Sequence, residues 1–279
     1  MMSSRLIVRI LLAAWGAAAG TTLTVGASSF AAAPSVRRGS CFLLVEIGVG
    51  EIRRNPSATC AARVSPQSTF KIPHALAALD AGVVSADEIL RYDGHPVDFE
   101  SWRADHSLAT AMRFSVLWYF QEMAKRLGAV RERAYLDRLN YGNRDSSSGL
   151  TTFWLGGSLA ISPDEQVRFL QDLFANRLRI DQRAIQTVRG VLLQRRGVVS
   201  NALGDHPFAA PWPDDLVLSA KTGSGPTGDG SVVRWLVGHV RRGTRSWAFA
   251  SNVVGGSDTP ALAAVDQAEK ALVAEHVIR

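Results

Sequence analysis

Two cysteines in 279 residues are too few for a scaffold built on disulfides. The six histidines are scattered, and none stands at a helical or zinc-type spacing from another ligand, so no metal site suggests itself. No apolar run reaches the roughly 20 residues that span a bilayer. There is no internal repeat, low-complexity tract or long linker. Dense lysine–arginine stripes interleaved with aromatics are also missing, which argues against a nucleic-acid surface. With 47% hydrophobic and 20% charged residues, the chain is not disordered, collagenous or all-membrane. Its length suits one large domain or two small ones, at roughly 100–200 residues each. The basic excess, 31 lysines and arginines against 25 acids, is mild. It fits an anionic small substrate or an anionic cell envelope.

What is present begins at the N-terminus. Arg5 and Arg9 occur with no acid before residue 34, Ile10 to Ala19 (ILLAAWGAAA) is a short apolar run, and Ser28 to Ala33 (SSFAAA) supplies small residues. That order describes a secretory signal peptide over residues 1–33, ahead of a mature domain at 34–279. An uncleaved membrane anchor is the alternative. The mature protein is expected to be periplasmic or secreted, without stable membrane association, as a monomer or homodimer. Export implies an oxidising compartment. Cys41 and Cys60 would then form a disulfide if a hairpin sets them opposite each other, or remain two small buried hydrophobes; strand register is not readable here.

Residues 40–63 read as strands around a turn containing Gly48 and Gly50. Residues 68–195 read mostly as helices, for example from Thr69 to Ala81, Ser115 to Leu127, Pro163 to Ala175 and Gln182 to Leu193. Strand patterns return at Leu216 to Lys221, Ser231 to Val240 and Ser246 to Val254, the last two joined by Arg241-Arg242-Gly243-Thr244. A final helix, roughly Thr259 to His276, carries an apolar stripe through Leu262, Val265, Ala268 and Leu272. Strands at both ends with helices between them predict an α+β fold. One antiparallel sheet would be flanked by helices, with a mostly helical lobe inserted at roughly 82–205.

Two short motifs carry chemistry. Ser68 and Lys71 stand three apart in Ser68-Thr69-Phe70-Lys71, so a helix start there puts them on one face. Unpaired N–H groups at such a start favour an oxyanion. Lys71 between Phe70 and Ile72 is set for desolvation, which makes a neutral, basic amine. The bland reading is a capping serine with a snorkelling lysine. Lys221-Thr222-Gly223, at the end of LVLSAK, offers a cation, a hydroxyl and room for close backbone approach, a suitable set for a carboxylate. A basic hairpin turn is its bland reading. Gly223 to Gly228 also fits G-x-G-x-x-G, but Pro226 lies inside it, no helix pattern follows, and no acid stands about 20 residues on.

Ser-x-x-Lys and Lys-Thr-Gly in this order, about 150 residues apart, pair up in serine β-lactamases and penicillin-binding proteins. Between them Ser115-Val116-Leu117 resembles the Ser-x-Val motif of class D β-lactamases. Tyr141-Gly142-Asn143 matches their Tyr-Gly-Asn, and Phe153-Trp154-Leu155-Gly156-Gly157 resembles their tryptophan loop. The chain is therefore similar to class D β-lactamases, the oxacillinases, from about residue 40 to 255.

The resemblance implies hydrolysis of penicillins and oxacillin-type compounds through an acyl-enzyme on Ser68. Lys71 would be the general base as an N-carboxylate formed reversibly with carbon dioxide or bicarbonate; no other cofactor and no metal is implied. Trp154 would hold that carboxylate, while Val116, Leu117 and Leu155 roof the lysine. Ser115 and Lys221 would pass a proton to the leaving nitrogen. Thr222, with Lys221, would meet the substrate carboxylate beside Gly223, and the N–H groups of Ser68 and Ser224 would form the oxyanion hole. Tyr141 and Asn143 would shape the cleft wall. Three departures stand out: Leu117 replaces the usual valine, Ser224 replaces an aromatic, and the stretch after Asp258 lacks the arginine that many members use for the substrate carboxylate. Arg241, Arg242 or Arg245 would compensate, or affinity would be weaker. A non-hydrolytic penicillin sensor and a cell-wall DD-peptidase are the alternatives within the superfamily.

Overall fold

A computed structural model describes residues 38–55 and 57–278; the segment read as an export signal, residues 1–33, lies outside the described residues. Strands β1 (Gly39–Glu46) and β2 (Gly50–Asn55) open the chain. Strands β5 (Leu216–Pro226), β6 (Val232–Arg242) and β7 (Arg245–Gly255) lie near its end. They form one antiparallel sheet in the order β2-β1-β7-β6-β5, in which β1 pairs with β7. The two ends of the chain thus close the sheet, as the strand pattern predicts.

Both faces of this sheet are covered. Helix α8 (Ala263–Ala274) packs on one face through Val265, Ala268 and Leu272, against Phe42, Leu44, Leu236 and Phe249. Helix α6 (Pro163–Phe174) covers the other face. A strand buried on both sides loses polar alternation, which is why Cys41 to Val45 reads as an unbroken apolar run. Helix α6 starts where its capping box dictates: Ser162 accepts from the Glu165 N–H, the Glu165 side chain reaches back to the Ser162 N–H, and Pro163 occupies the first turn.

Helix α2 (Lys71–Asp80) runs through the interior of the helical part, with α4 (Leu117–Leu127), α5 (Ala129–Arg138) and α7 (Gln182–Val191) around it. Four details differ from the sequence reading. A short helix α3 (Leu108–Arg113) falls inside the stretch expected to be mostly helical, whereas the hairpin of β3 (Val198–Asn201) and β4 (Gly204–Pro207) was not anticipated. The turn between β6 and β7 is two residues, Gly243-Thr244, because Gly243 at φ 57° supports a tighter hairpin than four residues would make. Cys60 lies in a short helix α1 (Ser57–Cys60), not in a returning strand. Lastly, β5 continues five residues past Lys221, so Lys-Thr-Gly lies within the strand.

Cys41 and Cys60, 19 positions apart in sequence, are joined in a disulfide, Cα to Cα 5.2 Å. A closed loop of this size is worth about 3 kcal/mol in the chain-entropy account. Reducing it is expected to lower the melting temperature by roughly 6–12 °C, at about 2–4 °C per kcal/mol for a domain this large. Thermal melts with and without reductant check this.

Candidate active site

Ser68 sits in a 3-10 turn, Gln67–Phe70, that runs directly into α2. Three residues per turn bring positions i and i+3 into line. Lys71, the first residue of α2, therefore donates from Nζ to Ser68 Oγ over 2.8 Å. Ser68 is half-buried and makes no capping bond, which removes the bland reading of this serine. Lys71 is 1% exposed, and its Nζ lies 5.3 Å from the Phe120 ring centroid. No carboxylate neutralises it among the described residues. Burial, and then the nearby Lys221, hold its pKa well below the ordinary lysine range. This shift favours the neutral amine, a base whose nitrogen is within hydrogen-bond reach of the serine hydroxyl.

A second lysine–serine pair faces the first. Lys221 Nζ donates to Ser115 Oγ at 3.0 Å and to its neighbour's carbonyl, Thr222 O, at 2.9 Å. Burial alone lowers the Lys221 pKa to about 7. Ser115 precedes α4 with φ 58°, a left-handed conformation that a serine adopts only under tertiary constraint. The sequence pattern starts that helix at Ser115; the structure starts it at Leu117, which frees Ser115 to turn inward.

Packing fixes the strand against the nucleophile turn. A Cβ on Gly223 would lie 2.9 Å from Pro66 O and 3.1 Å from Thr69 Cγ2; one on Gly225 would lie 2.4 Å from Gln67 Oε1. These glycines let β5 press against the turn, which is why a glycine-rich stretch stays in strand conformation here. Gln67, itself at φ 51°, donates from Nε2 to Pro226 O at 2.7 Å and from its backbone N–H to Trp154 O at 3.0 Å. Ser65 Oγ donates to Trp154 O and accepts from the Gly156 N–H. Sequence reasoning passed over Gln67 and Ser65 because glutamine and serine carry no motif signal at those positions.

Ser68, Lys71, Ser115, Leu117, Leu155, Thr222, Gly223 and Ser224 line one cleft of about 450 Å³. Phe99, Trp102 and Leu203, none singled out from sequence, supply apolar wall. Val116 is fully buried and does not line the cleft. Tyr141 and Asn143, expected in the cleft wall, lie behind it. Tyr141 donates to Gln166 Oε1 at 3.3 Å, and Gln166 holds Thr69 Oγ1 at 2.7 Å. Asn143 pins the tryptophan loop by donating to Ser158 O and accepting from the Ala160 N–H. They support the nucleophile turn and the loop from outside. Trp154 is fully buried, stacked 5.4 Å from Phe70, and its indole N–H has no acceptor among the described residues.

The arginines proposed to compensate at the substrate end are elsewhere. Arg242 pairs with Leu216 at the opposite end of β5 and bonds Asp215. Arg245 is held by Glu46. Arg241 lies opposite Val217. Position 234 is the one opposite Ser224; at about 3.4 Å per residue, Arg242 is some 27 Å further along β6.

Comparison with known proteins settles the family. The penicillin binding protein transpeptidase domain model matches residues 45–277. The chain is 37% identical to "Probable beta-lactamase YbxI" of Bacillus subtilis (strain 168), over 68% of this chain and 65% of that protein. It is 32% identical to "Beta-lactamase OXA-1" of Escherichia coli, over 77% and 76%. Among solved structures, "Crystal Structure of Beta-lactamase class D from Bacillus subtilis" matches with TM-score 0.75 and 31% identity, covering 87% of this chain and 93% of that one. The chain belongs to the class D β-lactamase family. It spans 65% of the length of the first curated relatives, YbxI and "Beta-lactamase OXA-48" of Klebsiella pneumoniae. Its centre is two serine–lysine pairs, and among the described residues no group of three or more His, Cys, Asp or Glu is arranged to hold a metal ion.

Proposed function

We propose that this class D family member hydrolyses β-lactams, penicillins and oxacillin-type compounds among them, through an acyl-enzyme on Ser68. The observation that carries the reading is the 2.8 Å bond from a buried Lys71 to Ser68 Oγ inside an open cleft, with burial lowering the lysine's pKa. Lys71 takes the proton of Ser68 as its oxygen attacks the strained amide carbonyl. The carbonyl oxygen becomes an anion and meets the backbone N–H groups of Ser68 and Ser224. Ser115, held by Lys221, passes a proton to the departing ring nitrogen. With a pKa near 7, Lys221 can both release and recover that proton near neutrality. Leu117 and Leu155 flank the lysine and restrict the water that clears the acyl group.

Lys71 also fits a carbon dioxide adduct. Only a neutral amine adds to carbon dioxide, and the orphaned indole N–H of Trp154 is a buried donor in want of an anionic acceptor. When bound, the group supplies an anionic base in place of the amine. The mature enzyme acts in the periplasm or outside the cell, consistent with the disulfide. Steady-state hydrolysis of a penicillin, an oxacillin-type compound and a carbapenem tests the reading. Added bicarbonate is expected to raise turnover most at mildly acid pH, where Lys71 is most often protonated. A burst of acylation followed by no turnover would favour the sensor or DD-peptidase alternative.

A further inference from the structure

A penicillin carries one carboxylate, and the cleft has few charges to receive it. Lys221 is turned inward: it is 2% exposed, bonded to Ser115 and to a carbonyl, and is half-discharged near neutrality. Lys71 is buried, bonded to Ser68 Oγ, and burial lowers its pKa. The remaining ionisable residue of the lining is an acid, Asp98. The start of α8 offers no cation, since residues 258 to 266 read DTPALAAVD.

One arginine, outside the lining itself, is bonded to a residue that lines the cleft. Arg234 on β6 is directly opposite Ser224 on β5, so the two side chains share a face of the sheet, the face that Thr222 also takes by strand alternation. Its guanidinium donates from Nη1 to Ser224 Oγ, from Nη2 to Thr259 O at 3.0 Å and from Nε to Pro260 O at 3.3 Å. Ser224 and Ala261, on either side of these anchors, line the cleft. All three acceptors are neutral, and no carboxylate pairs with Arg234 among the described residues. Three of its five N–H groups are used, which leaves two. The group is half-buried, and desolvation disfavours its charge, so a partner anion is welcome there. A charged fork fixed by two carbonyls, short of an anion, and abutting a cleft residue is prepared for a planar carboxylate.

We propose that Arg234 binds the substrate carboxylate, together with the hydroxyls of Thr222 and Ser224. This rests on the class D reading of the site. In binding, Ser224 Oγ keeps the Arg234 bond and turns its own O–H to the anion.

The test compares benzylpenicillin with its uncharged methyl ester on the wild-type protein and on Arg234→Ala, Arg234→Gln and Arg234→Lys. For the acid, KM is expected to rise about 10–100-fold in Arg234→Ala and Arg234→Gln, the range of a charge-assisted bond, with kcat changed less than about threefold. For the ester, kcat/KM stays near wild type, and Arg234→Lys recovers part of the preference for the acid. Arg234→Gln keeps donors for Thr259 and Pro260 without the charge, so it separates recognition from support of the chain before α8. Equal losses on acid and ester, or an unchanged KM for the acid in folded Arg234→Gln, would overturn the proposal. A wild-type protein that neither turns over nor is acylated by benzylpenicillin would refute the underlying reading, and that is seen before any variant is made.

Discussion

Replacing Lys71 with methionine is expected to destroy turnover and to stabilise the protein at the same time. The loss of activity, about 10³-fold or more, follows from removing the base that touches Ser68 Oγ. The gain in stability follows from the same burial that makes the base. Lys71 has its amine packed near the Phe120 ring, with one hydroxyl as partner and a second lysine nearby. Methionine fills similar volume without a polar terminus. A gain of about 1–3 kcal/mol is expected, the usual penalty of an ill-satisfied buried polar group. The pH dependence fixes the cause. A lysine whose pKa is lowered on folding binds fewer protons in the native state than in the unfolded chain, so stability rises with pH between the lowered value and the ordinary 10.5. The penalty is full below that window and fades above it. The advantage of Lys71→Met should therefore be largest in acid and shrink as pH approaches 10.5. Chemical denaturation across pH reads this directly. A variant less stable than wild type in acid would show that the amine is not costly where it sits.

How far the sequence could be read depends on the range of the forces involved. Ser68 and Lys71 are three apart, so a single local turn brings them into contact, and spacing alone exposes the pair. Lys221 and Ser115 are 106 residues apart, and only the resemblance to a family put them in one site. The sheet was readable because its strands bury apolar runs and end at glycines. The β3–β4 hairpin was missed because its strands are four residues each, too short to show alternation. Arg234 was passed over for a similar reason. An arginine in a strand looks like a solvent-facing residue until the register places it against Ser224. Tyr141 and Asn143 fit the expected motif, but which side of the cleft wall they occupy is set by packing against Gln166 and Ala160.

Replacing Trp154 with phenylalanine is expected to trap the acyl-enzyme. Phenylalanine keeps an aromatic ring against Phe70, Phe153 and His74 but removes the indole N–H. In the free protein that N–H is buried without an acceptor, a condition that costs about 1–3 kcal/mol. Such a donor is retained when it has work in another state of the site. If its partner is Lys71 carrying carbon dioxide, wild-type protein should be stabilised by bicarbonate through mass action, and Trp154→Phe should respond much less. In kinetics, acylation should survive as a burst, while steady-state turnover falls about 10–100-fold and recovers only at high bicarbonate. The melting curves separate this role from packing. A ring that only fills space would shift stability equally with and without bicarbonate and leave deacylation intact. A variant with full turnover, or a wild-type protein whose melting is indifferent to bicarbonate, would count the tryptophan as core and return the base role to the free amine.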